Sequence, residues 1–169
     1  MASKEQLDWL KQIAPAAQAA DAQYGVPASV TLAQAILESG WGQSKLTLQA
    51  NNYFGIKAEH LNVPNSYVEF PTLEYMFGVK KMVLAGFEKY PDAAASFADH
   101  AQLLHDAPRY QPAMRAAKSP QAFAQMLKTC GYSTSPTYAP MLTALMNEFD
   151  LYQYDNPLPQ PPAAEKKAV

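Results

Sequence analysis

The sequence predicts an α+β chain, mainly helical with one β-hairpin, and three features carry that expectation. Apolar residues recur at helical spacing through the first third and the last half of the chain. Between Val63 and Tyr90 the pattern changes to Val, Phe, Tyr and Thr, punctuated by Pro64, Pro71 and Gly78. Glycine and proline elsewhere mark the joins between helices.

Leu7, Leu10 and Ile13 start the first helix, which Pro15 is expected to break or restart before Tyr24-Gly25 ends it. Pro27 opens a second helix whose expected buried stripe is Val30, Ala33, Ile36 and Leu37. Gly40 is a left-handed terminator for it. A short amphipathic helix about Gln43 to Leu48 then leads into the loop Asn51-Asn52-Tyr53-Phe54-Gly55. After the hairpin, Phe97, Ala101 and Leu104 mark the inner face of a helix from about Asp92 to His105, and another is expected over Pro112 to Lys118. Ser119-Pro120 reads as an N-cap followed by proline in the first turn, with Gly131 as terminator. Met141, Leu142, Leu145 and Met146 define the last helix, about Tyr138 to Phe149. Residues 1–155 are expected to form one domain. The Pro- and Ala-rich end, DNPLPQPPAAEKKAV, lacks apolar periodicity and reads as a solvated tail or linker over 156–169.

The 169 residues suffice for one domain with its own core. Hydrophobic residues make up 49% and charged residues 17%, with a net charge of −2 and a pI near 5.9, so no general attraction to nucleic acid or anionic lipid is expected. No apolar run is long enough for a membrane span. The single cysteine, Cys130, rules out an internal disulfide. The start, MASKEQLDWLKQ, lacks the basic and apolar regions of a signal peptide, so an extracytoplasmic role would need another export route or a leader outside this sequence. His60, His100 and His105 show no metal-ligand spacing, and no cofactor is expected.

Chemistry concentrates between Val30 and Lys57, VTLAQAILESGWGQSKLTLQANNYFGIK. Glu38 stands in the last turn of an apolar helix, next to the tight turn Ser39-Gly40-Trp41-Gly42. A carboxylate is mildly disfavoured at the negative end of a helix, and partial burial adds to that, so its pKa is expected to rise into the range of a general acid. An exposed polar Glu is the plainer reading, and spacing alone does not remove it.

These residues resemble the peptidoglycan endo-β-N-acetylglucosaminidases of glycoside hydrolase family 73, whose core reads approximately AQAxLESGWGxS…NNxFGIK. The resemblance spans about Gln23 to Asp155 and implies a lysozyme-like fold with the hairpin beside a catalytic cleft. It implies that Glu38 is the acid protonating a glycosidic oxygen. Hydrolysis of this kind generally uses a second carboxylate. Glu59, Glu69 and Glu74 are the hairpin candidates and are equivalent on spacing alone. The family order Thr-x-Glu-Tyr-x-x-Gly then Ala-x-Phe-Arg-x-Tyr is similar to TLEYMFG followed by AGFEKY, which favours Glu74 with Glu69 as runner-up. Glu88 replaces the family's arginine, putting any contact made by that arginine in doubt.

GYSTSPTYA, from Gly131 to Ala139, resembles the family's GYATDPxYA. Tyr132 alone would read as a core tyrosine; the resemblance implies a phenol near the reacting sugar, with Tyr138 packing or lining the groove. Sugars bind through aromatic faces and a few directed polar groups, so Phe54 and Asn52 are expected groove residues and Trp41 a packing residue behind Glu38. The expected partner is the peptidoglycan glycan strand, met in the cell wall or periplasm by a monomer. A muramidase or lytic transglycosylase on the same fold, using Glu38 alone, is the enzymatic alternative. A non-catalytic wall-binding module is the alternative from another class.

Overall fold

The computed structural model describes residues 2–59 and 65–156, except the side chains of Glu74, Tyr75 and Met76. Among the described residues, seven α-helices and one antiparallel hairpin follow in the order α1 (Lys4–Tyr24), α2 (Ala28–Ser39), α3 (Lys45–Ala50), β1 (Tyr67–Met76), β2 (Val79–Glu88), α4 (Ala93–Asp106), α5 (Gln111–Arg115), α6 (Pro120–Thr129) and α7 (Tyr138–Glu148). Short 3₁₀ turns at Pro108–Tyr110 and Leu151–Tyr154 precede α5 and follow α7. Among the described residues, no helix is long and apolar enough to cross a membrane.

Helix α1 runs through Pro15 instead of breaking there. Leu10, Ile13 and Ala14 before the proline and Ala17 and Ala20 after it are buried on one face, and that packing holds the helix across the missing N–H. Ser3 and Gln6 form a reciprocal capping box at its start.

Helix α2 is the centre of the molecule. Every residue from Ala28 to Ile36 is buried, so the expected stripe of four was too narrow; only Leu37 and Glu38 reach solvent before the buried Ser39. Its neighbours are α1, α7, α6 and the Leu151–Tyr154 turn, and its small residues (Ala, Ser, Thr) let them approach from all sides. Pro27 supplies no side-chain cap at its start. Two distant carboxylates do so instead: Asp21 Oδ2 accepts from the Ala28 N–H (3.2 Å) and Asp155 Oδ1 from the Ser29 N–H (2.7 Å). Asn156 is anchored on α1 as well, through Asp21 Oδ2 and the Gln18 carbonyl. The chain is thus still docked where the tail was expected to begin; residues 157–169 lie outside the described residues.

The hairpin pairs Tyr67 with Glu88 through Met76 with Val79, joined by the two-residue turn Phe77-Gly78, both at positive φ (52° and 78°). Residues 60–64, where the hairpin region was expected to begin and where His60 falls, lie outside the described residues. The Asn-Asn-Tyr-Phe-Gly loop ties the hairpin to the helices: Lys57 bridges to Phe87, and the Ala58 and Glu88 amides bond to the Gly86 and Ile56 carbonyls.

The remaining helices occupy the expected places with shifted ends. Ser119 caps α6 with Pro120 in its first turn, and Asp92 caps α4. Phe97, Ala101 and Leu104 are buried, as are Leu142 and Met146 of α7, whereas Met141 faces solvent.

Candidate active site

Glu38 closes the last turn of α2 because the next four residues turn the chain sharply. Gly40, Trp41 and Gly42 all have positive φ (56°, 60° and 75°). Ser39 is buried beneath the turn; its hydroxyl donates to the Ala35 carbonyl and accepts from the Gly42 N–H. A Cβ on Gly42 would stand 2.7 Å from Trp9 Nε1, so glycine is required there for space as well as for backbone angle. Trp41 packs edge-on against Trp9 and Phe149 (ring centroids 5.3 and 4.8 Å), on the core side of the turn as expected.

The Glu38 carboxyl opens into a cleft of about 360 Å³ lined by Leu37, Glu38, Phe54, Tyr132, Ser133 and Tyr138. Helix α7 brings Tyr138, whose hydroxyl donates to Glu38 Oε1 at 2.8 Å. Tyr132, from the α6–α7 loop, stacks on Tyr138 at 5.6 Å between centroids and lines the same cleft. Burial pushes the Glu38 pKa up to about 7, against the opposing pull of the Tyr138 and then the Tyr132 hydroxyl. Both phenols are themselves raised, first by burial and then by the Glu38 charge, and remain donors. The carboxyl is therefore poised between its neutral and ionised forms near neutral pH.

Phe54 forms one wall of this cleft, packed at a tilt against the buried His100 ring (3.9 Å between centroids). Asn52 does not line it. Its side chain is 1% exposed, donates to the Ile56 and Glu88 carbonyls (both 2.9 Å) and accepts from the Ile56 N–H (3.1 Å). Every polar atom of its amide is engaged, so it fastens loop to hairpin instead of offering itself to a ligand.

Glu74 lies on β1 opposite Lys81, while its side chain is outside the description. Glu69 pairs with Gly86 and is exposed. Positions 69 and 74 have opposite parity along the strand and therefore belong to opposite faces of the ribbon. Glu59 is exposed beyond the loop, its N–H donating to Glu88 Oε1.

Two polar residues behind the cleft were not singled out by the sequence reading. Gln34 lies one helical turn before Glu38 and is fully buried; its Nε2 donates to the Tyr138 hydroxyl at 2.9 Å. His100, noted in the sequence only for lacking metal-ligand spacing, lies 3.0 Å from Gln34 Oε1 through Nε2. The signal for Gln34 was a lone amide in an apolar helix, one turn from the key carboxylate.

Comparisons with known proteins identify the family. Residues 14–151 match the Glucosaminidase family, described as mannosyl-glycoprotein endo-beta-N-acetylglucosaminidase. Exo-glucosaminidase LytG of Bacillus subtilis is 38% identical over 156 residues, covering 89% of this chain and 54% of that protein. Peptidoglycan hydrolase FlgJ of Escherichia coli K12 is 39% identical over 144 residues, covering 83% and 45%. The chain thus spans about half the length of these curated relatives. The catalytic domain of the Listeria monocytogenes autolysin Auto superposes with a TM-score of 0.80 at 31% identity, covering 92% of this chain and 90% of that one. The glycoside hydrolase domain of Salmonella typhimurium FlgJ does so at 0.69 and 33%, covering 88% and 90%. Family match, sequence identity and lysozyme-like fold agree, and the chain belongs to the glucosaminidase family, glycoside hydrolase family 73.

Proposed function

We propose that this domain hydrolyses peptidoglycan at the β-1,4 bond between N-acetylglucosamine and N-acetylmuramic acid, with Glu38 as general acid. The carrying observation is the Glu38 carboxyl at the cleft, its pKa raised to about 7 by burial and its Oε1 held by the Tyr138 hydroxyl. Neutral Glu38 gives its proton to the glycosidic oxygen as the C1–O bond breaks, and the aromatic walls seat the sugar.

A water then attacks C1. Glu74 is the base that takes its proton in the reading favoured here, with Glu69 as runner-up. Among the described residues lining the cleft, Glu38 is the only carboxylate, so the hairpin would have to bring the second one to the sugar. That same observation supports a second reading, in which the substrate's acetamido oxygen attacks C1 and water opens the resulting ring. Tyr132 would then orient the acetamido group. Either route needs only protein and substrate. The substrate places the site of action outside the cytoplasmic membrane.

Mass spectrometry of fragments released from purified sacculi tests the proposal. Reducing-end N-acetylglucosamine is expected. Ends in 1,6-anhydro-N-acetylmuramic acid would identify a lytic transglycosylase instead, and no release at all would favour a binding module. Fragment length separates an endo-acting enzyme from an exo-acting one such as LytG.

A further inference from the structure

Behind the cleft, four side chains from three helices form an unbroken chain of hydrogen bonds into the core. Glu38 Oε1 receives from Tyr138 (2.8 Å), the Tyr138 oxygen receives from Gln34 Nε2 (2.9 Å), and Gln34 Oε1 meets His100 Nε2 (3.0 Å). Gln34 and His100 are fully buried. The geometry points to Gln34 and His100 as positioning residues that lock the Tyr138 hydroxyl into donating to Glu38, leaving the acid's proton on Oε2 for the substrate. This inference rests on Glu38 being the general acid.

The chain has one workable polarity. Gln34 Oε1 only accepts, so His100 must carry its proton on Nε2. That fixes the amide with its NH₂ toward Tyr138, whose oxygen is then engaged as acceptor and whose O–H is left for Glu38. Among the described residues His100 Nδ1 is buried without a partner, and this tautomer leaves it a bare acceptor. The reversed polarity would place an orphan N–H at that atom, and orphan donors are rarer in native cores than under-satisfied acceptors. Burial also pushes the His100 pKa down to about 3, so the ring stays neutral wherever the domain works.

The polarity matters to the acid. If Tyr138 were free to accept, neutral Glu38 could give its hydrogen bond to the phenol oxygen and turn its proton away from the glycosidic bond. With the phenol held as donor, Oε1 is the carbonyl oxygen of the neutral acid. The groups facing Glu38 are Tyr138 from α7 and Tyr132 from the α6–α7 loop, with Tyr110 packed against Tyr132. Arg109 beyond it is turned to the Cys130 and Gly131 carbonyls.

The test is the pH dependence of sacculus hydrolysis in wild type, Gln34→Met, His100→Asn and His100→Gln. Gln34→Met removes both relay bonds at nearly constant length. It is expected to move the alkaline limb of kcat/KM upward by about half to one pH unit and to lower kcat about tenfold, with KM little changed. His100→Asn, whose amide stops short of Gln34, should act in the same direction. His100→Gln places an N–H near the original Nε2 and should restore the wild-type limb. An unshifted limb in folded Gln34→Met, or equal behaviour of the two His100 variants, would overturn the relay.

Nitrogen-15 NMR of the wild-type histidines, with His100 assigned from its loss in His100→Gln, supplies a readout independent of catalysis. A neutral Nε2–H ring that persists below pH 5 is expected. An Nδ1–H tautomer, or ordinary titration near 6.5, would overturn the relay even if a variant fails to fold. Full activity in Glu38→Gln would instead overturn the general-acid reading and leave the NMR result standing.

Discussion

Glu38 shows at one residue how a catalytic requirement opposes stability. Its folded-state pKa is raised from 4.5 to about 7, so folding favours the neutral acid. The sign follows: the carboxyl's contribution is fully present below 4.5 and is lost as pH rises through about 7. A shift of this size corresponds to as much as ~3 kcal/mol, and solvent access at the cleft lowers that to roughly 1–2 kcal/mol. Glu38→Gln keeps the shape and an oxygen acceptor for Tyr138 but cannot deliver a proton. Turnover is therefore expected to fall by about 10²–10⁴. The same variant should melt higher than wild type at pH 8 and nearly equal to it at pH 5, by calorimetry. Near wild-type turnover would remove Glu38 from the acid role, and equal melting at both pH values would mean the carboxyl is not strained by its site.

At the scale of elements, the loop that lends Phe54 to the Glu38 cleft is also the one that clamps the hairpin. Asn52 holds that joint with three hydrogen bonds to the Ile56 and Glu88 backbones. Asn52→Ala leaves those buried groups unpaired, at a cost of about 2–4 kcal/mol. Hydrogen exchange should then show lost protection at the hairpin base, including the Glu88 amide that bonds to the Ile56 carbonyl, with α2 still protected. Uniform loss across α2 would show that Asn52 supports the core instead of the joint. The two strand carboxylates make separate predictions because positions 69 and 74 belong to opposite faces. Glu74→Gln is expected to lower kcat by about 10²-fold or more with KM nearly unchanged, while Glu69→Gln has little effect. A mild Glu74→Gln together with a severe Tyr132→Phe would transfer the nucleophilic step to the substrate's acetamido group.

Over the whole molecule, what was legible in the sequence was local. Gly40 as terminator, Ser119-Pro120 as helix start, the hairpin and the position of Glu38 each follow from a few neighbouring residues, and the structure has all four. What was illegible depends on partners far along the chain. Pro15 stays inside α1 because of packing on both sides of it, Asn52 faces the hairpin backbone, and Gln34 meets His100 66 residues away. The same distinction governs where the folded part ends. Composition placed the boundary about Asp155 but did not show that Asp155 closes the N-terminus of α2 across 126 residues, where Pro27 offers no cap. Losing a carboxylate cap costs about 1 kcal/mol, and the helix it caps carries Glu38 at its other end. Removing residues 157–169, which lack an apolar face in sequence, is expected to leave melting temperature and lytic activity unchanged. Truncation after Tyr154 should lower the melting temperature by several degrees, and Asp155→Ala in the full chain should reproduce most of that loss. If the two truncations melt alike, the long-range cap contributes nothing and α2 is held by its packing alone.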